Sequence, residues 1–284
     1  MSAGGRRVVL CADDFGLTEA ASISIAELAS IAAISAASCV VDAPGFPQHV
    51  AKLAQCRANV AIGLHLNLTA GTRGPVRRPL ASWIARAYSS GVPPRRELRA
   101  EIARQLDAFE DALNSAPCFV DGHQHVHQLP QIRDALMDEI VGRYGTSVMV
   151  RCTASMRPRG LKARVIARLG GTALRTMLAT QHIPSNSDFA GVYNFSTARP
   201  FCPRLMDWLR TLPDGGLVMC HPERNTVPKA PRTAREAEHD FLASRSWSEL
   251  RRALHITLIP FRADAYSSVR PQDSERRLPL SRRS

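Results

Sequence analysis

Three histidines at alternate positions, His123, His125 and His127, follow Asp121 in the stretch DGHQHVH, and two adjacent aspartates, Asp13 and Asp14, close the run RRVVLCADDFG. Carboxylates and imidazoles bind divalent cations and move protons, so both stretches are candidates for metal-assisted acid–base chemistry. Alternate residues share one side of a strand, but a third histidine would stand ~13 Å from the first by strand rise. At most two of the three can reach one ion. Two neighbouring aspartates inside a regular strand would face opposite ways and bury one carboxylate without a partner, at a cost of several kcal/mol. At a strand's end, before Phe15 and Gly16, the chain can turn and bring both to one rim, one as a metal ligand and the other as a proton acceptor. A lone aspartate pair reads more often as a helix cap and turn, so partners on other strands must decide.

Those partners are supplied by alternating strand and helix patterns. Short apolar runs that turn polar at their C-terminal ends read as strands in RRVVLCADDFG, ISAASCVV, VAIGLHLNLT, CFVDGHQHVH, SVMVRC, GGLVMCHPE and ITLIPF. Helices are expected over 18–31, with Thr18 as cap, and over 95–113, 130–143, 161–180, 201–211 and 233–252. The helix 95–113 carries Leu98, Ile102, Leu106, Phe109 and Leu113 at spacings of three and four. HIPSNSDFAGVYNF reads as irregular, and the Gly-, Pro- and Arg-rich segment 70–94 as a substrate loop or lid, with a short helix in RRPLASWIARAY. This order predicts an α/β fold: a barrel of seven or eight parallel strands joined by right-handed crossovers.

Barrels of this kind gather reactive groups where strands end. Here the strand ends carry Asp13 and Asp14, then His65 and Asn67, then Asp121 with the three histidines, then Arg151, then His221. One carboxylate with two imidazoles leaves coordination positions open for water and substrate, which is the arrangement of a catalytic metal. His49, His182, His239 and His255 are read as hydrogen-bonded core residues.

The chain has 284 residues, 45% hydrophobic and 22% charged, which suits one globular domain over 1–262 and a basic, poorly ordered tail over 263–284. A net charge of +12 raises nucleic-acid binding. The arginines are dispersed and no basic run is interleaved with aromatics, so a solvated basic surface is expected and no nucleic-acid partner. Seven cysteines without CxxC spacing read as reduced thiols. No stretch reaches the ~18 apolar residues of a membrane span or shows a signal peptide. The expectation is a soluble cytoplasmic protein, with a homodimer allowed.

Four motifs, ADDFG at 12–16, GLHLNLT at 63–69, DGHQHVHQLPQI at 121–132 and MCHP at 219–222, together resemble the YdjC-like carbohydrate deacetylase family, which includes chitooligosaccharide and hopanoid-associated deacetylases. The resemblance implies a distorted (β/α) barrel related to polysaccharide deacetylases. It implies a divalent metal, magnesium first with zinc as the alternative, and removal of acetyl from an N-acetylated amino sugar by metal-bound water. By motif position, Asp13 looks like the base and Asp14, His65 and His123 like the metal ligands. Arg151, which can hold Asp13 through a bidentate pair, and His221, a candidate acid toward the leaving amine, complete the catalytic set. Asn67, Asp121, His125 and His127 are candidates to support the ligands or touch substrate. Two positions depart from the family: Cys11 stands where asparagine is common and Gly122 where serine is common. Competing readings are a metal-dependent amidohydrolase or phosphoesterase, whose paired histidines usually sit on the first strand, and a non-catalytic sugar-binding barrel.

Overall fold

The computed structural model describes residues 5–70, 76–89, 91–157, 159–224 and 232–266. Its centre is β1 (Arg6–Phe15), a ten-residue strand whose last eight residues are all buried. Around it run β2 (Ala36–Cys39), β3 (Ala61–Leu66), β4 (Phe119–Gly122), β5 (Met149–Val150), β6 (Phe189–Ala190), β7 (Gly216–Cys220) and β8 (Ile256–Leu258). These eight strands form one sheet in the order β5-β4-β3-β2-β1-β7-β6, with β8 paired to β1, and every pairing is parallel. The fold is therefore the distorted parallel α/β barrel expected from the sequence.

The distortion lies between β5 and β6, the two ends of the strand path. The Val150 N–H donates to the Pro184 carbonyl at 3.0 Å. Asn186 then accepts from the Cys152 N–H and donates to the Cys152 carbonyl, both at 2.8 Å. An amide side chain satisfies backbone groups that a neighbouring strand would otherwise pair.

Outside the sheet lie α1 (Glu19–Ser30), α2 (Gly45–Ala54), α3 (Leu80–Ala87), α4 (Arg95–Leu113), α5 (Ile132–Tyr144), α6 (Leu161–Ile166), α7 (Thr172–Thr180), α8 (Phe201–Thr211), α9 (Ala234–Leu242) and α10 (Arg245–Ala253). Thr18 caps α1 by accepting from the Ala21 N–H at 3.0 Å, and α4 buries all five residues of its apolar stripe.

Several expectations need correction. The helix α2 begins at Gly45, where no helix is expected above, and Pro47 in its first turn needs no N–H partner. The helix expected over 161–180 is two, α6 and α7, separated by a wide turn over 167–171. There Gly170 adopts φ +128, and any Cβ would strike the Gln128 carbonyl. The helix expected over 233–252 breaks between α9 and α10, where Ser244 takes an extended conformation. The irregular stretch after His182 contains β6.

Of the histidines assigned to the core, only His239 fits, buried and bonded to Glu27 at 3.2 Å. His182 and His255 are exposed, and half-buried His49 has no hydrogen-bond partner among the described residues. Four residues past position 262 form a further turn, α11 (Ala263–Tyr266). Its Tyr266 packs on Phe261 at 5.6 Å and donates to the Gly215 carbonyl at 2.8 Å. The remainder of the expected tail, 267–284, lies outside the described residues. All seven cysteines are free thiols.

The two-residue period of the strands builds the site. One apolar cluster contains Val9 and Cys11 of β1, Ala36 of β2, Ala61 of β3, Phe119 of β4, Met149 beside it on β5, and Leu217 and Met219 of β7. Continuing each strand by steps of two from these positions reaches Asp13, Ser38, His65, Asp121, Arg151 and His221. The chemistry thus sits directly on top of the barrel's apolar filling. Asp13, Ser38, His65 and Asp121 sit on buried strands, and Arg151 and His221 one residue beyond the ends of β5 and β7.

Candidate active site

Alternation alone would point Asp14 away from its neighbour. It does not, because β1 bulges there: Ala12 pairs with Ala37 and Phe15 with Cys39, leaving one extra residue on β1, and Asp14 takes φ +73. A left-handed non-glycine residue costs about 1–3 kcal/mol and persists only where its surroundings fix it. Here the surroundings are ionic. Asp14 Oδ1 lies 2.9 Å from His123 Nδ1 and 3.6 Å from His65 Nε2, and Oδ2 lies 3.1 Å from Arg235. One ligand atom each from Asp14, His65 and His123 falls within 4.8 Å of the others.

His65 is presented by a second carboxylate. Its Nδ1 lies 2.6 Å from Asp121 Oδ1, which also accepts the Ser38 hydroxyl. Donation from Nδ1 leaves the Nε2 lone pair facing Asp14, the tautomer a metal needs. Burial alone would raise the Asp14 pKa. The hydrogen bond from His123 and the attraction of the His221, His123 and His65 imidazoles outweigh it and hold the carboxyl well below the usual range. Burial opposes charge on His65, but the Asp121 carboxylate beside it raises its pKa overall. Asp14 is therefore kept ionised by whatever positive charge surrounds it.

Arg151 binds the remaining carboxylates. Fully buried after β5, it donates through Nη1 to Asp13 Oδ2 and through Nη2 to Asp13 Oδ1, both at 2.6 Å. Its Nη2 also lies 2.6 Å from Asp121 Oδ2, as an ion pair without hydrogen-bond alignment, and donates to Cys11 Sγ at 2.9 Å. Burial pushes the Cys11 thiol up, so it stays neutral beside the guanidinium. Cys11, Asp13 and Asp121 are close enough to resemble a second ligand group, yet the cation at that centre is Arg151. Burial would raise the Asp121 pKa, while Arg151 and His65 pull it below the carboxylate range. Asp13, Asp14, Asp121 and Glu223 stand against Arg151 and Arg235, so this cluster of carboxylates and guanidiniums is short of two positive charges. A divalent cation on Asp14, His65 and His123 matches that deficit, and the donor set is one that such ions accept.

Above these groups opens a cavity of about 440 Å³, within the ~300–1,000 Å³ of small-molecule sites. Asp13, Asp14, His65, His123 and His221 line its floor, and Tyr193, Phe195, Leu169 and Val165 contribute its apolar wall. Burial lowers the His221 pKa against the pull of Asp14 and Asp13, and its Nδ1 has no hydrogen-bond partner among the described residues. The ring meets Phe195 edge-on at 5.1 Å. Behind it, buried Glu238 accepts from the His221 N–H and, at 2.5 Å, from the Tyr193 hydroxyl. Burial pushes the Glu238 carboxyl up to about 7 despite these bonds.

The histidine run does not continue the strand. β4 ends at Gly122, and His123–Gln128 form a tight turn in which Gln124 and His125 adopt left-handed φ of +53 and +60. Strand spacing therefore does not apply to these rings. His123 joins Asp14, His125 lines the cavity against Phe189 at 5.8 Å, and His127 turns away to the Arg151 carbonyl at 2.9 Å. Burial lowers the pKa of both, that of His127 to about 4, so both rings are neutral. Gly122 permits this turn: a Cβ would sit 2.9 Å from the His127 backbone nitrogen.

Asn67, expected to support the ligands or touch substrate, shapes the loop after β3. Its Oδ1 accepts from Thr69 and Ala70, and its Nδ2 reaches the Ala70 carbonyl at 3.1 Å. Sequence reasoning missed Ser38, Arg235 and Glu238. Ser38 was findable, because it follows Ala36 by two on β2. The other two lie on α9 and left no local signal.

A profile of the family described as YdjC-like protein matches residues 7–253. A chitooligosaccharide deacetylase of Escherichia fergusonii is 30% identical over 133 residues, which cover 45% of this chain and 52% of that protein. A carbohydrate deacetylase of Homo sapiens is 33% identical over 145 residues, 46% of this chain and 44% of that protein. The chain spans about half the length of these curated relatives. A solved structure from Enterococcus faecalis V583, provisionally named a cellobiose-phosphate cleavage protein, aligns with TM-score 0.66 and 17% identity over 90% of this chain and 98% of that one. That is a likeness of fold. Among the described residues, no helix is long and apolar enough to cross a membrane.

Proposed function

The chain belongs to the YdjC-like protein family, and on that premise we propose that it is a metal-dependent deacetylase releasing acetate from an N-acetylated amino sugar, as a di- or oligosaccharide or a glycolipid. The observation that carries this reading is the group Asp14, His65 and His123, placed beside the Arg151-bound Asp13 on the floor of one cavity. The names of the two curated relatives, both sugar deacetylases, support the substrate class.

A divalent cation held by Asp14, His65 and His123 supplies Lewis acidity, which polarises an amide carbonyl and acidifies water. Asp13 accepts the proton that the attacking water gives up. Its two oxygens each spend one lone pair on Arg151, and a carboxylate has about four acceptor sites, so capacity remains. Arg151 fixes the direction of Asp13, and Asp121 fixes that of His65. His221 relays the proton that Asp13 took up to the departing amine nitrogen as the C–N bond breaks, so that amide and water become free amine and acetic acid, which ionises to acetate. Burial holds His221 neutral at rest, and the adjacent carboxylates favour the charged ring it must briefly become. The apolar wall of Tyr193, Phe195 and Leu169 excludes bulk water and suits the face of a sugar ring.

Two imidazoles with one carboxylate suit zinc or another borderline ion better than magnesium, which prefers oxygen ligands. Metal content of the purified protein decides between them. The test of function is acetate release from mono-, di- and lipid-linked N-acetylglucosamine. Release is expected to vanish on chelation and to fall ~100-fold or more in Asp13→Asn, with metal binding retained. A metal-loaded protein that frees no acetate from any of them, or that hydrolyses a phosphodiester instead, overturns the proposal.

A further inference from the structure

One charged group on the cavity wall has no part in the reaction above: Arg235, in the first turn of α9. Its Nη2 donates to Asp14 Oδ2 at 3.1 Å and its Nη1 to Glu223 Oε2 at 3.0 Å. Glu223, just after β7, accepts the Thr18 hydroxyl on its other oxygen at 2.7 Å, and its N–H donates to the Arg235 carbonyl at 3.3 Å. The guanidinium also lies over the Phe195 ring at 5.4 Å. Thr18 is the cap of α1, so the arginine is tied to the rim from several directions. Such a network fixes a side chain of this length.

The two oxygens of Asp14 consequently face different partners. Oδ1 faces the two imidazoles, and Oδ2 faces Arg235. We propose that Arg235 is a positioning residue that restricts Asp14 to ligation through one oxygen, keeping coordination positions free for water and the substrate carbonyl. A guanidinium on Oδ2 fixes the carboxylate torsion and repels a cation approaching that oxygen. The inference rests on Asp14, His65 and His123 being the metal site, and it goes beyond that reading by assigning how many sites on the ion Asp14 occupies.

Cobalt(II) tests it, because its visible absorption weakens as coordination number rises. The full-length protein is titrated with cobalt, and band intensity, cobalt affinity and steady-state kinetics are measured for wild type, Arg235→Met, Arg235→Lys and Glu223→Gln. Arg235→Met is expected to weaken the band and lower kcat about 10- to 100-fold with KM nearly unchanged, and Arg235→Lys to recover part of both. Glu223→Gln keeps the arginine but loosens it, so it gives the same changes at smaller size and serves if Arg235→Met does not fold. A wild-type spectrum in Arg235→Met overturns the proposal. If KM alone rises, the arginine serves the substrate and the proposal also fails. Failure of the metal-site reading shows separately, as wild type that binds no cobalt or an Asp14→Asn variant that binds it unchanged, and it removes the proposal with it.

Discussion

Replacing Arg151 by methionine removes the single cation between Asp13 and Asp121 while leaving a chain of similar volume. Both carboxylates are at most 1% exposed, and among the described residues neither has another cationic side chain at ion-pair distance except His65 on Asp121. A charge pair at about 4 Å is worth roughly 4 kcal/mol at an effective dielectric of 20, and removing one partner of a buried pair typically costs about 3–5 kcal/mol. Arg151→Met should therefore lose about 4 kcal/mol at pH 8. The pH dependence carries the sign. In the wild type, burial would raise the Asp121 pKa, and Arg151 and His65 outweigh it. Its ionised form thus stabilises the fold above the ordinary carboxylate pKa, and that contribution is lost only as pH falls through the depressed value. In the variant burial dominates, the carboxyl titrates upward, and acid relieves the strain. Urea unfolding at pH 8 and pH 5 should show the gap between wild type and Arg151→Met narrowing in acid. A loss under about 1 kcal/mol at pH 8, or a gap that stays constant or widens in acid, would refute the argument.

Two further outcomes follow from buried groups near the site. Glu238→Gln should flatten the stability profile between pH 5 and 8: a carboxyl raised from 4.5 to about 7 gives stability below the lower value that is lost as pH rises through the upper one. At ~1.4 kcal/mol per pH unit this is at most about 3.5 kcal/mol, and thermal melts that keep the wild-type slope would count against it. His127→Ala should leave metal stoichiometry intact while destabilising the fold by about 1–3 kcal/mol, because it orphans the buried Arg151 carbonyl. Loss of bound metal in His127→Ala, by contrast with its expected loss in His123→Ala, would reinstate His127 as a ligand.

The sequence was most informative where geometry is regular. Asp13, His65, Asp121, Arg151 and His221 each continue an inward-facing strand position, so a two-residue period and the rule of strand ends locate them without coordinates. It was least informative where the backbone leaves its standard form. The bulge at Asp14 and the left-handed Gln124 and His125 decide which side chains meet, and neither is written in a local pattern. The alternating histidines suggested a strand because period two looks the same whether or not the strand continues. Arg235 and Glu238 sit on a helix far along the chain, where a charged residue reads as solvated surface until the fold brings it inward. Asn67 lies past the strand's end, where its amide closes a turn that no two-residue period announces.

The position of β1 has a consequence for how the molecule is made. It precedes the other strands of the sheet in the chain, yet β7 and β8 pair along it, the latter through Ile256–Leu258. Strands β2 to β5 can add in order on one edge as they emerge, but the edge of β1 that pairs with β7 stays open until Gly216–Cys220 have been made. Pairings across so long a loop are slow to form and leave an apolar strand edge exposed meanwhile. His221, Glu238 and Arg235 all belong to that late part of the chain. The pocket is therefore completed only once β7 pairs, and a chain that has made Asp14, His65 and His123 still lacks His221, Arg235 and Glu238.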